Sequence, residues 1–179
     1  TDPNESLINR NNPTHTAGVT FFGQFLDHDM TFDQTSQLGV PTPPRKSPNA
    51  RTAFFDLDSV YGEGPAGSPE LFDPADPGKF RVDTGGQFED LPRQLNKQAI
   101  IGDPRNDENL IIAGMHASFL LFHNHAVDLV RSQSPSISTN DAYLQARRLT
   151  LWHYHWMILH EFLPLFVGQD VINDVLMNG

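Results

Sequence analysis

The 179 residues carry 12 Lys and Arg against 22 Asp and Glu, a formal charge of −10, so the clustered cations that nucleic acid or an anionic membrane surface requires are missing. Cysteine is absent, which excludes disulfides, zinc–thiolate sites and thiol nucleophiles, and leaves 8 His and the carboxylates as the groups able to do chemistry. The length suits one domain with its own core. No apolar run approaches the ~20 residues of a membrane span. The start, Thr1-Asp2-Pro3-Asn4, has neither the basic nor the apolar part of a signal sequence. A chain opening on Thr1 is expected to be a piece processed from something longer.

The 13 Gly and 14 Pro are clustered, and they divide the chain into helical islands within irregular sequence. The first island is a predicted helix over about 17–32, where Phe21, Phe25, His28, Asp29 and Phe32 recur at helical spacing. On it Gln24, Asp27 and His28 share a face, and Asp29 is turned by ~100° from His28. One face could thus carry chemistry while its neighbour holds an ion, or the polar groups could simply be solvated between aromatic core residues. Residues 33–49 read as surface coil. In 52–58 oxygen side chains alternate with apolar ones. An extended loop would aim Thr52, the Phe54 carbonyl, Asp56 and Asp58 to one side, a set that suits calcium, although a strand with two solvated Asp gives the same pattern.

Residues 62–86 are rich in Pro, Gly and Asp and give no β-hairpin signal. In Gly102-Asp103-Pro104-Arg105-Asn106-Asp107-Glu108-Asn109, Asp103 or Asn106 can cap the next helix and Glu108 suits its first turn. Capping does not account for Arg105. The helix itself is predicted over about 108–131 through Ile111, Met115, Ser118, Phe122, Ala126 and Leu129, with apolar residues off that stripe implying burial on more than one side. A third helix follows over about 141–162, capped by Asn140 or Asp141 and ending before Pro164. His116, His123, His125, His153, His155 and His160 lack chelating spacing and read as surface or hydrogen-bonded residues. The fold class is mainly α.

Taken together, Gly23-Gln24-Phe25-Leu26-Asp27-His28-Asp29, the run from Thr52 to Asp58 continuing into Ser59-Val60-Tyr61-Gly62, the Gly102–Glu108 segment, and His116 with His123-Asn124 occur in a familiar order. In order and approximate spacing the chain resembles the animal-type haem peroxidases of the peroxidase-cyclooxygenase superfamily, in a bacterial-style form, and resembles only their distal half. The likeness extends to Leu163-Pro164-Leu165-Phe166-Val167-Gly168.

The resemblance implies a haem-peroxidase-like helical fold with long irregular loops, incomplete in this chain, and a heme b cofactor. It makes His28 the distal histidine, Gln24 the distal glutamine and Arg105 the distal arginine. Asp29, Thr52, Phe54 through its carbonyl, Asp56 and Asp58 become Ca2+ ligands, and Asp27 and Glu108 candidates for ester bonds to haem methyl groups. Asn109 stands where the most oxidising mammalian members place a Met that makes a third link to haem. The expected reaction reduces hydrogen peroxide and oxidises a small organic donor or a halide. None of His153, His155 and His160 has the context of the proximal iron ligand, so a second polypeptide or a downstream segment is expected to supply it. Secretion or another extracytoplasmic location is also implied. Two alternatives stand beside this reading: a fatty-acid dioxygenase of the same superfamily, and a non-catalytic calcium-binding homologue. Intact Gln24, His28 and Arg105 argue against the latter.

Overall fold

The computed structural model describes residues 15–179. Its first helix, α1 (Ala17–Met30), buries Phe25, Leu26, His28 and Asp29. It stops two residues before the expected end because Thr31 turns extended. Phe32 leaves the helix and lies beneath two guanidinium groups, 4.4 Å from Arg105 and 5.4 Å from Arg51. Residues 33–49 form coil interrupted by one 3-10 turn, Pro44–Lys46. Asn49 accepts from the Phe32 N–H at 2.8 Å and donates to the Met30 carbonyl at 2.7 Å, closing the loop at its base.

Two short helices follow, α2 (Asp58–Tyr61) and α3 (Gly64–Gly67). The stretch expected to be coil then contains two antiparallel hairpins, β1 (Phe72–Asp73) with β2 (Asp76–Phe80), and β3 (Asp83–Thr84) with β4 (Glu89–Asp90). They carry no alternating signal because β2 reads Asp-Pro-Gly-Lys-Phe. Tertiary partners make this strand: Asn124 accepts from the Phe80 N–H at 2.7 Å and donates to its carbonyl at 2.9 Å, while Phe72 stacks on Phe80. Part of the His123-Asn124 motif is therefore an anchor for the hairpin.

The long helix α4 (Leu110–Gln133) starts after a 3-10 turn over Pro104–Asp107. Its cap is Asn109, whose Oδ1 accepts from Ile111 and Ile112; Asp103 caps the 3-10 turn instead, and Asn106 caps neither. By length and composition α4 could cross a membrane, contrary to the sequence expectation. It nevertheless buries His116 and His123 within the fold. The connection 134–138 turns α5 (Thr139–Met157) back along α4. Ser138 caps α5 by accepting from Asp141 N–H, so Asp141 occupies the first turn and Asn140 is no cap. Small residues, Ala126 against Ala142 and Ala146, let the two helices approach at one end. At the other, Phe119 stacks on Phe25 and meets the edge of Tyr154. Burying side chains of this size contributes ~1.5–3 kcal/mol each before entropy is counted.

A π-helical turn, Ile158–Phe162, continues α5, and α6 (Leu163–Val167) and α7 (Gln169–Asn178) complete the described chain. Pro164 falls just after the π-helical turn, where its missing N–H interrupts the backbone ladder running on from α5. One close approach fixes how the site elements meet. A Cβ on Gly102 would lie 2.7 Å from the Ser59 carbonyl oxygen, so only glycine lets the Gly102–Glu108 segment rest on the backbone of α2.

Candidate active site

His28 projects from α1 and is buried. Its Nδ1 is 2.9 Å from Asn106 Oδ1. Among the described residues nothing bonds its Nε2. One helical turn earlier, half-buried Gln24 donates its amide to Glu108 Oε2 at 3.1 Å, so α1 and the end of the 3-10 turn are joined beside His28. Arg105 is held hard from behind: its Nε and Nη2 reach Asp103 at 3.1 and 2.8 Å, and Nη2 also donates to the carbonyls of His28 and Thr31. Its Nη1 has no partner among the described residues. The guanidinium thereby closes the C-terminal end of α1, where cations are favoured, and keeps one nitrogen for a ligand.

Asp103 is completely buried and is shared by two arginines, with Arg51 Nη2 at 2.6 Å and Arg105 Nη2 at 2.8 Å. Burial works against its ionisation, but the hydrogen bonds from Arg105 and Arg51 outweigh that and hold its carboxyl below the ordinary range. Arg51 also sends Nη1 to within 3.7 Å of Asp58 Oδ1. One carboxylate thus ties the acidic loop to the arginine beside His28.

The second cluster lies on the neighbouring face of α1. Carboxylate oxygens of Asp29, Asp56 and Asp58 all lie within 4.8 Å of one another. Asp29 accepts from the Leu57 N–H at 3.1 Å, Tyr154 Oη at 3.1 Å and Ser59 Oγ at 3.3 Å. Burial nevertheless pushes its pKa up to about 6, with Asp58 and Asp56 adding repulsion. Asp58 is raised too, first by burial, against the pull of Arg51. Thr52 Oγ1 donates to Asp56 at 2.9 and 3.0 Å, which places it in the cluster.

The loop is not the extended ladder expected from the alternation. Leu57 adopts φ 57 and ψ 32, the left-handed region that a branched side chain enters at a cost. That turn lets the Leu57 N–H face Asp29 while Asp56 and Asp58 flank it. Phe54 exposes its side chain and its carbonyl accepts no hydrogen bond among the described residues.

Asp27 and Glu108 are both exposed, Asp27 accepting from Thr31 Oγ1 at 3.1 Å. Of four residues that organise these sites, Arg51 and Tyr154 were not singled out by their sequence context, and Asp103 and Asn106 read there only as candidate caps. Arg51, Asp103, Asn106 and Tyr154 act through partners distant in the chain, and only Arg105 gave a hint, as an arginine that capping did not explain. Of the late histidines, His116 and His123 are buried, and His155 bonds the Phe55 carbonyl at 2.6 Å.

Comparison with known proteins bears on the family and the fold. A model of the animal haem peroxidase family matches residues 34–179, a range that includes the acidic loop and the Arg105 segment and begins after α1. Mouse thyroid peroxidase is 25% identical over 185 residues, covering 90% of this chain and 20% of that protein. Human lactoperoxidase is 26% identical over 154 residues, covering 73% of this chain and 22% of that protein. The crystal structure of rice fatty acid alpha-dioxygenase superposes with a TM-score of 0.70 at 21% identity, over 89% of this chain and 30% of that one. The chain spans less than a third of each of these proteins. With the family's match extending over most of its length, the chain belongs to the animal haem peroxidase family.

Proposed function

We propose that this chain is the distal portion of a peroxidase that reduces hydrogen peroxide and oxidises a small organic donor or a halide. The observation that carries this reading is the state of His28: its Nδ1 is bonded to Asn106, which leaves Nε2 without a partner among the described residues, on the helix that also carries Gln24 and whose end Arg105 closes.

The family implies haem, and the residues fit it. A base nitrogen, the Arg105 Nη1 and two exposed carboxylates, Asp27 and Glu108, are all left available on adjoining elements. Heme b, when bound, supplies redox-active iron. His28 would take a proton from the nearer peroxide oxygen and return it to the departing one. Arg105 would offset the negative charge that develops as the O–O bond breaks. Gln24 would orient water or halide. Two electrons from the donor and two protons complete the conversion of one peroxide to two waters. Asp27 and Glu108 are the groups available for ester links. Asn109 is occupied in capping α4 and has no sulfur for a third link, so strong chloride oxidation is not expected.

Calcium fits the acidic cluster on a separate observation. Asp58 Oδ1 is buried without a hydrogen-bond partner among the described residues, and three crowded carboxylates call for a divalent cation. Asp29, Asp56, Asp58, Thr52 and the Phe54 carbonyl would hold it, fixing α1 on the face next to the one that presents His28. A calcium-held site of this kind suits an extracytoplasmic location.

The proximal histidine would come from a downstream segment or a second polypeptide. Supporting this, α5 exposes Trp152 and Trp156, at 60% and 53%. Trp156 borders an apolar groove of about 510 Å³ with Phe122 and Met157.

Loading the full-length protein with haem provides the test. The expected result is a Soret band together with peroxide-dependent oxidation of a phenolic donor. Oxygen uptake by a fatty acid in place of that activity would move the reading to a dioxygenase. Failure to take up haem would leave a calcium-held module.

A further inference from the structure

His28, Asn106 and His116 form a buried chain of hydrogen bonds across three elements. His28 Nδ1 lies 2.9 Å from Asn106 Oδ1, and Asn106 Nδ2 lies 2.9 Å from His116 Nδ1. All three side chains are almost wholly inaccessible, at 4%, 0% and 1%. The middle residue is fixed by its own backbone, since the Asn106 N–H donates to the Asp103 carbonyl at 3.0 Å.

From this arrangement we propose that Asn106 is a positioning residue that sets the tautomer of His28, with His116 as the buried anchor that holds the Asn106 amide in place. The inference rests on the peroxide chemistry proposed above for His28.

A carboxamide has one accepting and one donating end. With Oδ1 toward His28, the proton of the neutral ring must sit on Nδ1, and the lone pair falls on Nε2, where peroxide would meet it. With the amide turned over, Nε2 would carry the proton and the neutral ring would offer the pocket no base. In the orientation the structure shows, Nδ2 faces His116 Nδ1, which then accepts and carries its own proton on Nε2.

Burial favours a neutral His116, holding its pKa down to about 4. Its Nε2 is buried with no partner among the described residues, a polar group left unpaired at a cost. Packing alone would be served better by an apolar residue there. A neutral amide also holds the His28 N–H without adding a negative charge to this buried chain, which a carboxylate in its position would do.

The test reads the tautomers directly in the full chain, by two-bond 1H–15N correlation of the 15N-labelled histidines. The expected wild-type spectrum has His28 protonated on Nδ1 and His116 on Nε2. Asn106→Leu should move the His28 proton to Nε2, and His116→Leu, which frees the amide to turn over, should give a mixture of the two forms. In the haem-loaded full-length protein, Asn106→Leu should slow the peroxide step at least ~10-fold with an unchanged Soret band.

A wild-type His28 protonated on Nε2 overturns the inference even if no variant folds. An Asn106→Leu protein that keeps the wild-type tautomer does the same. The expected tautomers in a wild-type protein inert to peroxide would support the role of Asn106 and contradict the proposed function instead.

Discussion

Tyr154 on α5 donates its hydroxyl to Asp29 Oδ2 on α1 at 3.1 Å, across 125 residues of sequence. The bond binds the third large helix to the junction between the acidic loop and the face that presents His28. Burial raises the Tyr154 pKa most, and the neighbouring Asp29 charge and this bond raise it further.

Tyr154→Phe keeps the ring in the core and removes only this donor. The buried Asp29 carboxyl then loses one of its hydrogen bonds, and the expected loss is ~1–3 kcal/mol. Thermal denaturation in the absence of calcium measures it. An unchanged melting temperature would show that the hydroxyl contributes nothing to the junction.

Calcium binding at Asp29, Asp56 and Asp58 gives a separable expectation. EDTA should lower the melting temperature of the wild-type protein, because an ion bound only by the folded state stabilises it. Asp56→Ala should lower the starting value and remove the response to EDTA. A wild-type protein indifferent to chelation would rule out the site.

The two buried histidines of α4 predict acid lability. Burial holds both His116 and His123 down to about 4, from an ordinary 6.5. Between those values the unfolded chain binds protons that the native one refuses, so stability is full above pH 6.5 and falls as pH drops to 4. Each group accounts for ~3 kcal/mol over that window. Asp29 and Asp58 run the other way in ion-free protein, since raised carboxyl pKa values favour the native state in acid.

The informative quantity is therefore the change on substitution. His123→Gln should flatten the profile of stability against pH by up to one proton, ~1.4 kcal/mol per pH unit. Denaturant midpoints between pH 4.5 and 6.5 measure this, and an identical slope in both proteins would contradict it.

The helices were legible in the sequence because their signals are local. Phe25, His28 and Asp29 on α1 follow the helical period whatever surrounds them, and so does the α4 stripe through Ile111, Phe122 and Leu129, although the fold leaves those three exposed and buries Ile112, His116 and Phe119 on the adjoining face instead. The caps were misplaced by a few residues because Asn, Asp and Ser crowd both helix starts, and only geometry selects Asn109 and Ser138. The hairpin at Phe72 and Phe80 was hidden because the pair α4 Asn124–Phe80 makes the strand, not the strand's own pattern.

The site divides in the same way. Gln24, His28, Asp29, Asp56 and Asp58 stood out as residue types at helical or alternating spacing, and the fold does bring the three carboxylates together. Arg51 and Tyr154 gave no such signal, and Asp103 and Asn106 read only as caps. Each bonds across dozens of residues, Arg51 to Asp103 and Asn106 to His28 among them, and such pairings exist only once the chain has folded. The left-handed Leu57 was equally unreadable, since nothing in its side chain announces φ 57.

The central claim is that His28 is the base that takes the proton from hydrogen peroxide. Stopped-flow mixing of peroxide with haem-loaded full-length protein, wild type against His28→Leu, tests it most directly, with the Soret band recording haem retention. The expected result is a rate of the first step lower by ~10²–10⁴-fold with haem content unchanged. An unaltered rate would contradict it, as would a loss of activity that merely follows a parallel loss of haem.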